Sequence, residues 1–137
     1  MGLILDSSVL IAAERKAQPI SEVLAVVRTR VGVADILLSS ISVIELEHGL
    51  WRANTTEIAL RRRLYLDAIF FAIPVQPFIK EMGQLAARVD AEARKAGVAI
   101  PFADLQIGVT ALHLGYAIGT LNARHFDMIP DLKVERL

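Results

Sequence analysis

Residues 2–8 read GLILDSS, an uninterrupted apolar run that ends at one acidic residue, Asp6. A short, continuous apolar run is the pattern of a central parallel strand covered on both faces, so we predict a strand at residues 2–5. Asp6 then lies at the carboxyl end of that strand. A carboxylate placed against buried surface must be paired, protonated or bound to a cation, because removing its water is unfavourable.

Two more acidic residues interrupt apolar segments farther along the chain. Glu45 lies within ISVIELEHGL, residues 41–50, and Asp104 follows IPFA, residues 100–103. The spacing of apolar residues predicts that each lies on a helix, with Asp104 in the first turn of its helix. Three such carboxylates suggest one shared cation if the fold brings them together.

The rest of the chain alternates between strand and helix patterns. Further strands are predicted at 36–39, around Val75, at 116–120 and at 132–137, and helices near 9–13, 20–28, 42–54, 56–72, 78–95 and 101–115. This alternation predicts an α/β fold, a three-layer sandwich with a short, mainly parallel central sheet flanked by helices. Ligand sites in such sheets lie outside the carboxyl ends of the strands. We therefore expect Asp6, Glu45, Asp104 and Asn122, which follows the strand at 116–120, to meet at one rim.

The composition predicts one compact domain over residues 1–137. Hydrophobic residues make up 54% of the chain, and the mean hydropathy is +0.47, which is ample for one core. Lys and Arg number 15, as do Asp and Glu, so the net charge is zero and any nucleic-acid contact must come from local patches. The absence of cysteine excludes a disulfide framework and a thiolate zinc site.

The hydropathy pattern favours a soluble, cytoplasmic protein with no membrane partner. The longest apolar stretch, residues 64–75, contains Asp67 and is shorter than the roughly 20 residues of a membrane-spanning helix. The first residues also lack the charged region that opens a signal peptide.

Several local contacts are predicted from residue type and spacing. Ser7 or Ser8 is placed to cap the first helix, and Glu57 and Arg61 are spaced as an i,i+4 ion pair.

A stripe of small residues is predicted on the helix that begins with Asp104. Gly108, Ala111 and Gly115 continue from Asp104 at intervals of four, three and four residues. This face predicts a close approach of the helix to the sheet.

Four segments in order carry a family resemblance. They read LILDSSVLIA (3–12), SVIELEHGL (42–50), IPFADLQIG (100–108) and GTLNARHFDMIPDL (119–132). Together they resemble PIN-domain ribonucleases of the VapC toxin type, and the likeness covers essentially the whole chain as a single PIN-like domain. Each motif alone is short, but four at this spacing form a specific signature.

The resemblance implies a toxin of a toxin-antitoxin pair, a hydrolase that cleaves RNA with Mg²⁺ or Mn²⁺. It implies three partners: an RNA substrate, a cognate antitoxin protein and a second copy of the chain in a homodimer. Asp6, Glu45 and Asp104 occupy the positions of the family's acidic triad. We expect Asp6 and Asp104 to bind the metal, and Glu45 to complete the shell through water or to orient the attacking hydroxide.

Asn122 stands at the fourth acidic position of the family, which is a departure from the pattern. An asparagine carbonyl still orients a water or a ligand, but the change puts a second tightly held metal in doubt. Asp127 or Asp131 is close enough in sequence to compensate in part.

Two other functions compete with the nuclease. A catalytically silent PIN-like module that binds protein or RNA is favoured only by Asn122. A phosphotransfer or phosphatase domain would use Asp6 as the nucleophile. Phosphatases of that kind have a second acidic residue two positions later, where this chain has Ser8, so the pattern is absent.

Basic residues and one histidine complete the candidate site. The run RRR at 61–63, together with Arg52, Lys80 and Arg124, predicts a positive margin suited to a phosphate backbone, although such a run also suits a solvated helix face. His125 is predicted to lie near the rim.

Overall fold

A computed structural model describes all residues, 1–137, as five strands, six α-helices and one 3-10 helix. The strands are β1 (Gly2–Leu5), β2 (Asp35–Ser39), β3 (Val75–Gln76), β4 (Ala117–Thr120) and β5 (Val134–Arg136). The α-helices are α1 (Ser7–Arg15), α2 (Ile20–Val31), α3 (Ser40–Trp51), α4 (Thr56–Ala72), α5 (Lys80–Lys95) and α6 (Phe102–Leu114), and the 3-10 helix is Phe126–Met128. None of these helices combines the length and the apolar character needed to cross a membrane.

The five strands form one sheet in the order β3-β2-β1-β4-β5, and every neighbouring pair is parallel. β1 lies at the centre, between β2 and β4. Leu3 and Leu5 face one side of the sheet and Ile4 faces the other, and all three are fully buried. The strand is apolar at every position because both of its faces are covered.

Helices cover the two faces of the sheet in separate layers. Side chains of α1, α2 and α4 pack with Leu3 and Leu5, including the fully buried Leu10. Side chains of α5 and α6 pack with Ile4 on the opposite face, including the fully buried Ile107. The predicted three-layer α/β sandwich with a parallel central sheet is therefore confirmed.

The predicted cap of the first helix is wrong. Asp6 is the N-cap residue of α1 and makes no side-chain cap bond, whereas Ser8 lies inside the helix and uses its hydroxyl elsewhere. The predicted pairing of Glu57 with Arg61 does not form either, since no ion pair of the chain includes them.

α6 lies close to β1 and β4, as predicted, but Gly108 in its stripe of small residues does not make that approach. A Cβ at Gly108 would lie 2.3 Å from Cδ1 of Ile129 and 3.4 Å from Cδ1 of Phe126, so this face packs on the segment that follows β4. Gly115 is the C-cap of α6, with a φ of 70°, and belongs to a turn. The small residue at 108 therefore positions the loop that contains Asn122.

Gly49 and Gly108 predict opposite effects of an added side chain. A Cβ at Gly49 would meet no atom within 4 Å, so Gly49→Ala is expected to raise the free energy of unfolding by about 0.5–1 kcal/mol. Gly108→Val would overpack the contact with Ile129 and is expected to lower the free energy of unfolding by about 1–3 kcal/mol. Urea titration followed by circular dichroism measures both changes. A Gly108→Val protein as stable as wild type would contradict the close packing of α6.

Candidate active site

All four predicted site residues line one open cavity of about 840 Å³. Asp6 directly follows β1, and Asn122 lies in the loop after β4. Glu45 lies in the second turn of α3, which directly follows β2, and Asp104 lies in the first turn of α6. The cavity is at the carboxyl edge of the sheet, because parallel strands end on the same side.

Asp6 is the most enclosed carboxylate of the site, with 6% of its surface exposed. The hydroxyls of Ser8 and Thr120 both donate to its Oδ2 atom, at 2.7 and 2.8 Å. Burial raises the pKa of Asp6 above its usual value; the two hydroxyl bonds oppose that rise, and the negative charge of Asp104 adds to it. The carboxylate is held in one orientation but is unfavourable when ionised without a cation.

Backbone amides fix the direction of the two hydroxyls. The amide of Leu121 donates to Oγ of Ser8 at 3.2 Å, and the amide of Asn122 donates to Oγ1 of Thr120 at 2.9 Å. Each hydroxyl oxygen accepts from the loop after β4 and gives its own proton to Asp6. The network therefore ties the end of β1 to that loop. Neither residue was assigned to the site from the sequence, and the only signal was that each is a hydroxyl residue within a quoted motif, residues 3–12 and 119–132.

Glu45 brings an unsatisfied oxygen to the cavity. Its Oε1 atom is buried and has no hydrogen-bond partner. Burial raises the pKa of Glu45, the negative charges of Asp6 and Asp104 raise it further, and the nearby Ser7 hydroxyl lowers it. A buried acceptor without a donor needs a proton or a cation nearby.

Asp104 is held by a histidine. Nδ1 of His125 lies 2.8 Å from Oδ2 of Asp104, and both side chains are partly exposed to the cavity. With a proton on Nδ1 the imidazole donates this hydrogen bond, and the carboxylate oxygen accepts it. The predicted location of His125 at the rim is confirmed, and its contact is a carboxylate of the site.

Asp127 and Asp131 do not compensate for Asn122. Asp127 pairs with Arg136 on β5, and neither acidic residue lines the cavity. That prediction is wrong, because the turn after β4 directs Asp127 toward the edge strand. Asn122 is exposed and lines the cavity, and neither Asp127 nor Asp131 takes its place there.

A three-layer parallel α/β fold with carboxylates gathered at the carboxyl edge of its sheet defines the class of this protein. The profile of the PIN domain matches residues 3–131. The chain therefore belongs to the PIN-domain family.

One sequence relative and two solved structures match this chain over nearly its full length. Ribonuclease VapC1 of Rickettsia felis is 31% identical over 134 residues, which is 98% of this chain and 95% of that protein. VapBC2 from Rickettsia felis, solved with a promoter DNA fragment, has a TM-score of 0.86 at 20% identity and covers 100% of this chain and 99% of that chain. DNA-bound VapBC from Salmonella typhimurium has a TM-score of 0.82 at 21% identity and covers 99% of this chain and 98% of that chain. These two structures share the fold.

The raised pKa values of Asp6 and Glu45 predict a pH-dependent effect of Asp6→Asn on stability without divalent metal. An acid whose pKa is raised by folding stabilises the fold below its unfolded pKa, and that contribution is lost as pH rises through the folded pKa. The ordinary pKa of Asp is 3.8. At and below that pH, wild type and Asp6→Asn should differ little in free energy of unfolding. As the pH rises above it, the variant should become more stable than wild type by a growing margin.

The measurement is urea unfolding over a pH series in a chelator, with Asp35→Asn as control because Asp35 is exposed at the start of β2. The control should track wild type throughout. A gap between Asp6→Asn and wild type that does not grow with pH would contradict burial of an ionised Asp6.

Proposed function

We propose that this chain is the toxin of a toxin-antitoxin pair and cleaves RNA as a divalent-metal-dependent endoribonuclease. One observation carries the proposal: Asp6, Glu45 and Asp104, from three distant segments, line the same cavity. The name of the Rickettsia felis relative, a ribonuclease, supports the reaction class. The matching VapBC structures support the biological setting.

The donor set of the cavity fits a hard divalent cation such as Mg²⁺ or Mn²⁺. All three acidic side chains offer oxygen, and the buried Oε1 atom of Glu45 lacks a partner. No group of three or more acidic or histidine side chains is close enough to form a complete ligand set. Mg²⁺ is usually held by one or two carboxylates and keeps several waters, so Asp6 and Asp104 suffice as direct ligands.

The bound cation would supply a more acidic water and neutralise charge that builds on the phosphate. The protein positions the reacting groups. Ser8 and Thr120 fix the Asp6 carboxylate, and His125 fixes that of Asp104. Glu45 is placed to orient the attacking water or to accept its proton. In-line attack at phosphorus breaks the bond to the 3′ oxygen and leaves a 5′-phosphate and a 3′-hydroxyl.

A silent binding module remains the alternative function. Asn122 favours it, because one acidic position of the family is lost. The three carboxylates argue against it, because burying charges of the same sign is unfavourable and a module that only binds would gain nothing from them.

We also propose that the chain binds a cognate antitoxin and a second copy of itself. Large apolar side chains are exposed on the outer surface of α3 and α4, with Trp51 81% and Phe71 95% accessible. Leu60 and Leu64 on α4 are also exposed. Exposed apolar side chains at this density favour burial against another protein.

Loss of either proposed metal ligand should abolish cleavage. Asp6→Asn and Asp104→Asn are each expected to lower the rate by on the order of 10³-fold, because the amide cannot replace the carboxylate charge toward a cation. Asp127→Asn is the matched control, since Asp127 lies outside the cavity. Cleavage of total RNA with mapping of the new ends measures the rate and the end chemistry. Retained activity in both site variants would overturn the assignment.

Divalent metal should stabilise the folded protein through the same carboxylates. At a concentration one hundred times the dissociation constant, the gain is about 2.7 kcal/mol. Differential scanning calorimetry with and without Mn²⁺ measures this gain for wild type, Asp104→Asn and the Asp127→Asn control. Wild type and control should rise in melting temperature, and Asp104→Asn should not. An equal rise in all three proteins would place the metal elsewhere.

A further inference from the structure

The three consecutive arginines at 61–63 do not share one role. Arg63 lies 2.5 Å from a carboxylate oxygen of Glu47 on α3, and Arg62 lies 3.9 Å from Glu14 on α1. Both of these arginines are half-buried and connect helices. Arg61 is exposed and belongs to no ion pair. Only Arg61 is therefore free to contact a ligand.

A second open cavity, of about 890 Å³, lies beside the catalytic cavity and between α1, α3 and α4. Ile11, Arg15 and Glu45 line both cavities. The two cavities are therefore adjacent, and Arg15 lies on the wall that they share. We call the second cavity the arginine groove, because Arg15, Arg52 and Arg61 line it.

The arginine groove carries unpaired positive charge. Arg15, Arg52 and Arg61 are all exposed, and none takes part in an ion pair. Two carboxylates, Glu14 and Glu45, and a fourth arginine, Arg62, also line the groove, and Glu14 lies against Arg62. The groove therefore has an excess of positive side chains, and it lies beside the cavity that contains Asp6 and Asp104. The net charge of the whole chain is zero, so this local excess is what a polyanion would meet.

We propose that single-stranded RNA leaves the catalytic cavity along the arginine groove, with its phosphates bound by Arg15, Arg52 and Arg61. This inference rests on the proposed nuclease function. Guanidinium groups bind phosphate through paired hydrogen bonds, and three of them in one groove match a strand with one negative charge per nucleotide. Arg124 lines the catalytic cavity but not the arginine groove, so it is not part of this proposed path.

The test compares RNA affinity in the inactive Asp6→Asn background, where the strand is not cleaved. The groove variant carries Arg52→Ala with Arg61→Ala. The control carries Arg88→Ala with Lys95→Ala, which removes the same charge from exposed positions on α5. Fluorescence anisotropy with a labelled single-stranded RNA of random sequence, over a series of salt concentrations, measures affinity and its salt dependence.

The groove variant should bind RNA about tenfold more weakly than the control, and its salt slope should be smaller by about 1.4, which is about 0.7 for each lost phosphate contact on a single strand. Arg52→Lys with Arg61→Lys keeps the charge but not the paired hydrogen bonds, so it should restore the salt slope and recover only part of the affinity, which separates charge from misfolding. Equal affinity and slope in groove variant and control would overturn the proposal. So would a groove variant with unchanged RNA affinity but altered self-association in sedimentation, which would make the groove a protein contact.

The outcomes also separate this inference from the nuclease itself. If wild type cleaves RNA but the groove variant binds like the control, the groove assignment fails and the nuclease stands. If RNA binding depends on Arg52 and Arg61 but wild type never cleaves with divalent metal, the groove stands and the nuclease fails.

Discussion

Burial of an ionisable carboxylate at the end of the central strand is the constraint on which this structure depends. Asp6 is almost fully enclosed, and its burial opposes ionisation more strongly than either of its two hydroxyl bonds favours it. The charge of Asp104 acts in the same direction on Asp6, and the charges of Asp6 and Asp104 raise the pKa of Glu45. A divalent cation bound between these carboxylates would offset all of these unfavourable contributions, which is the physical basis of the proposed metal site.

Parallel strand geometry explains why the site was largely predictable. The apolar run at 2–5 required a strand with both faces covered, and the carboxyl ends of parallel strands meet at one edge. Asp6 and Asn122 follow adjacent strands, so their proximity is a consequence of strand order. The family motifs then identified which carboxylates of α3 and α6 face the same edge.

Side-chain contacts between residues that are far apart in the sequence could not be predicted. Thr120 donates to Asp6 from 114 residues away, and nothing in its own segment indicates that partner. The different roles of Arg61 and Arg63 depend on how α4 is rotated against α3, which a run of identical residues does not encode. Asp127 or Asp131 was expected to compensate in part for Asn122, but Asp127 pairs with Arg136 on the edge strand.

Charge is separated over short distances in this neutral chain: carboxylates lie at the centre of the cavity and unpaired arginines lie around and beyond it. This arrangement is the one that the proposed function requires, with a polyanion at the margin and a cation at the carboxylates. The most direct test is anomalous diffraction from crystals grown with Mn²⁺. A peak in the cavity within bonding distance of Asp6 and Asp104 is predicted, whereas a cavity without a peak at saturating Mn²⁺, or a peak elsewhere on the chain, would contradict the metal assignment.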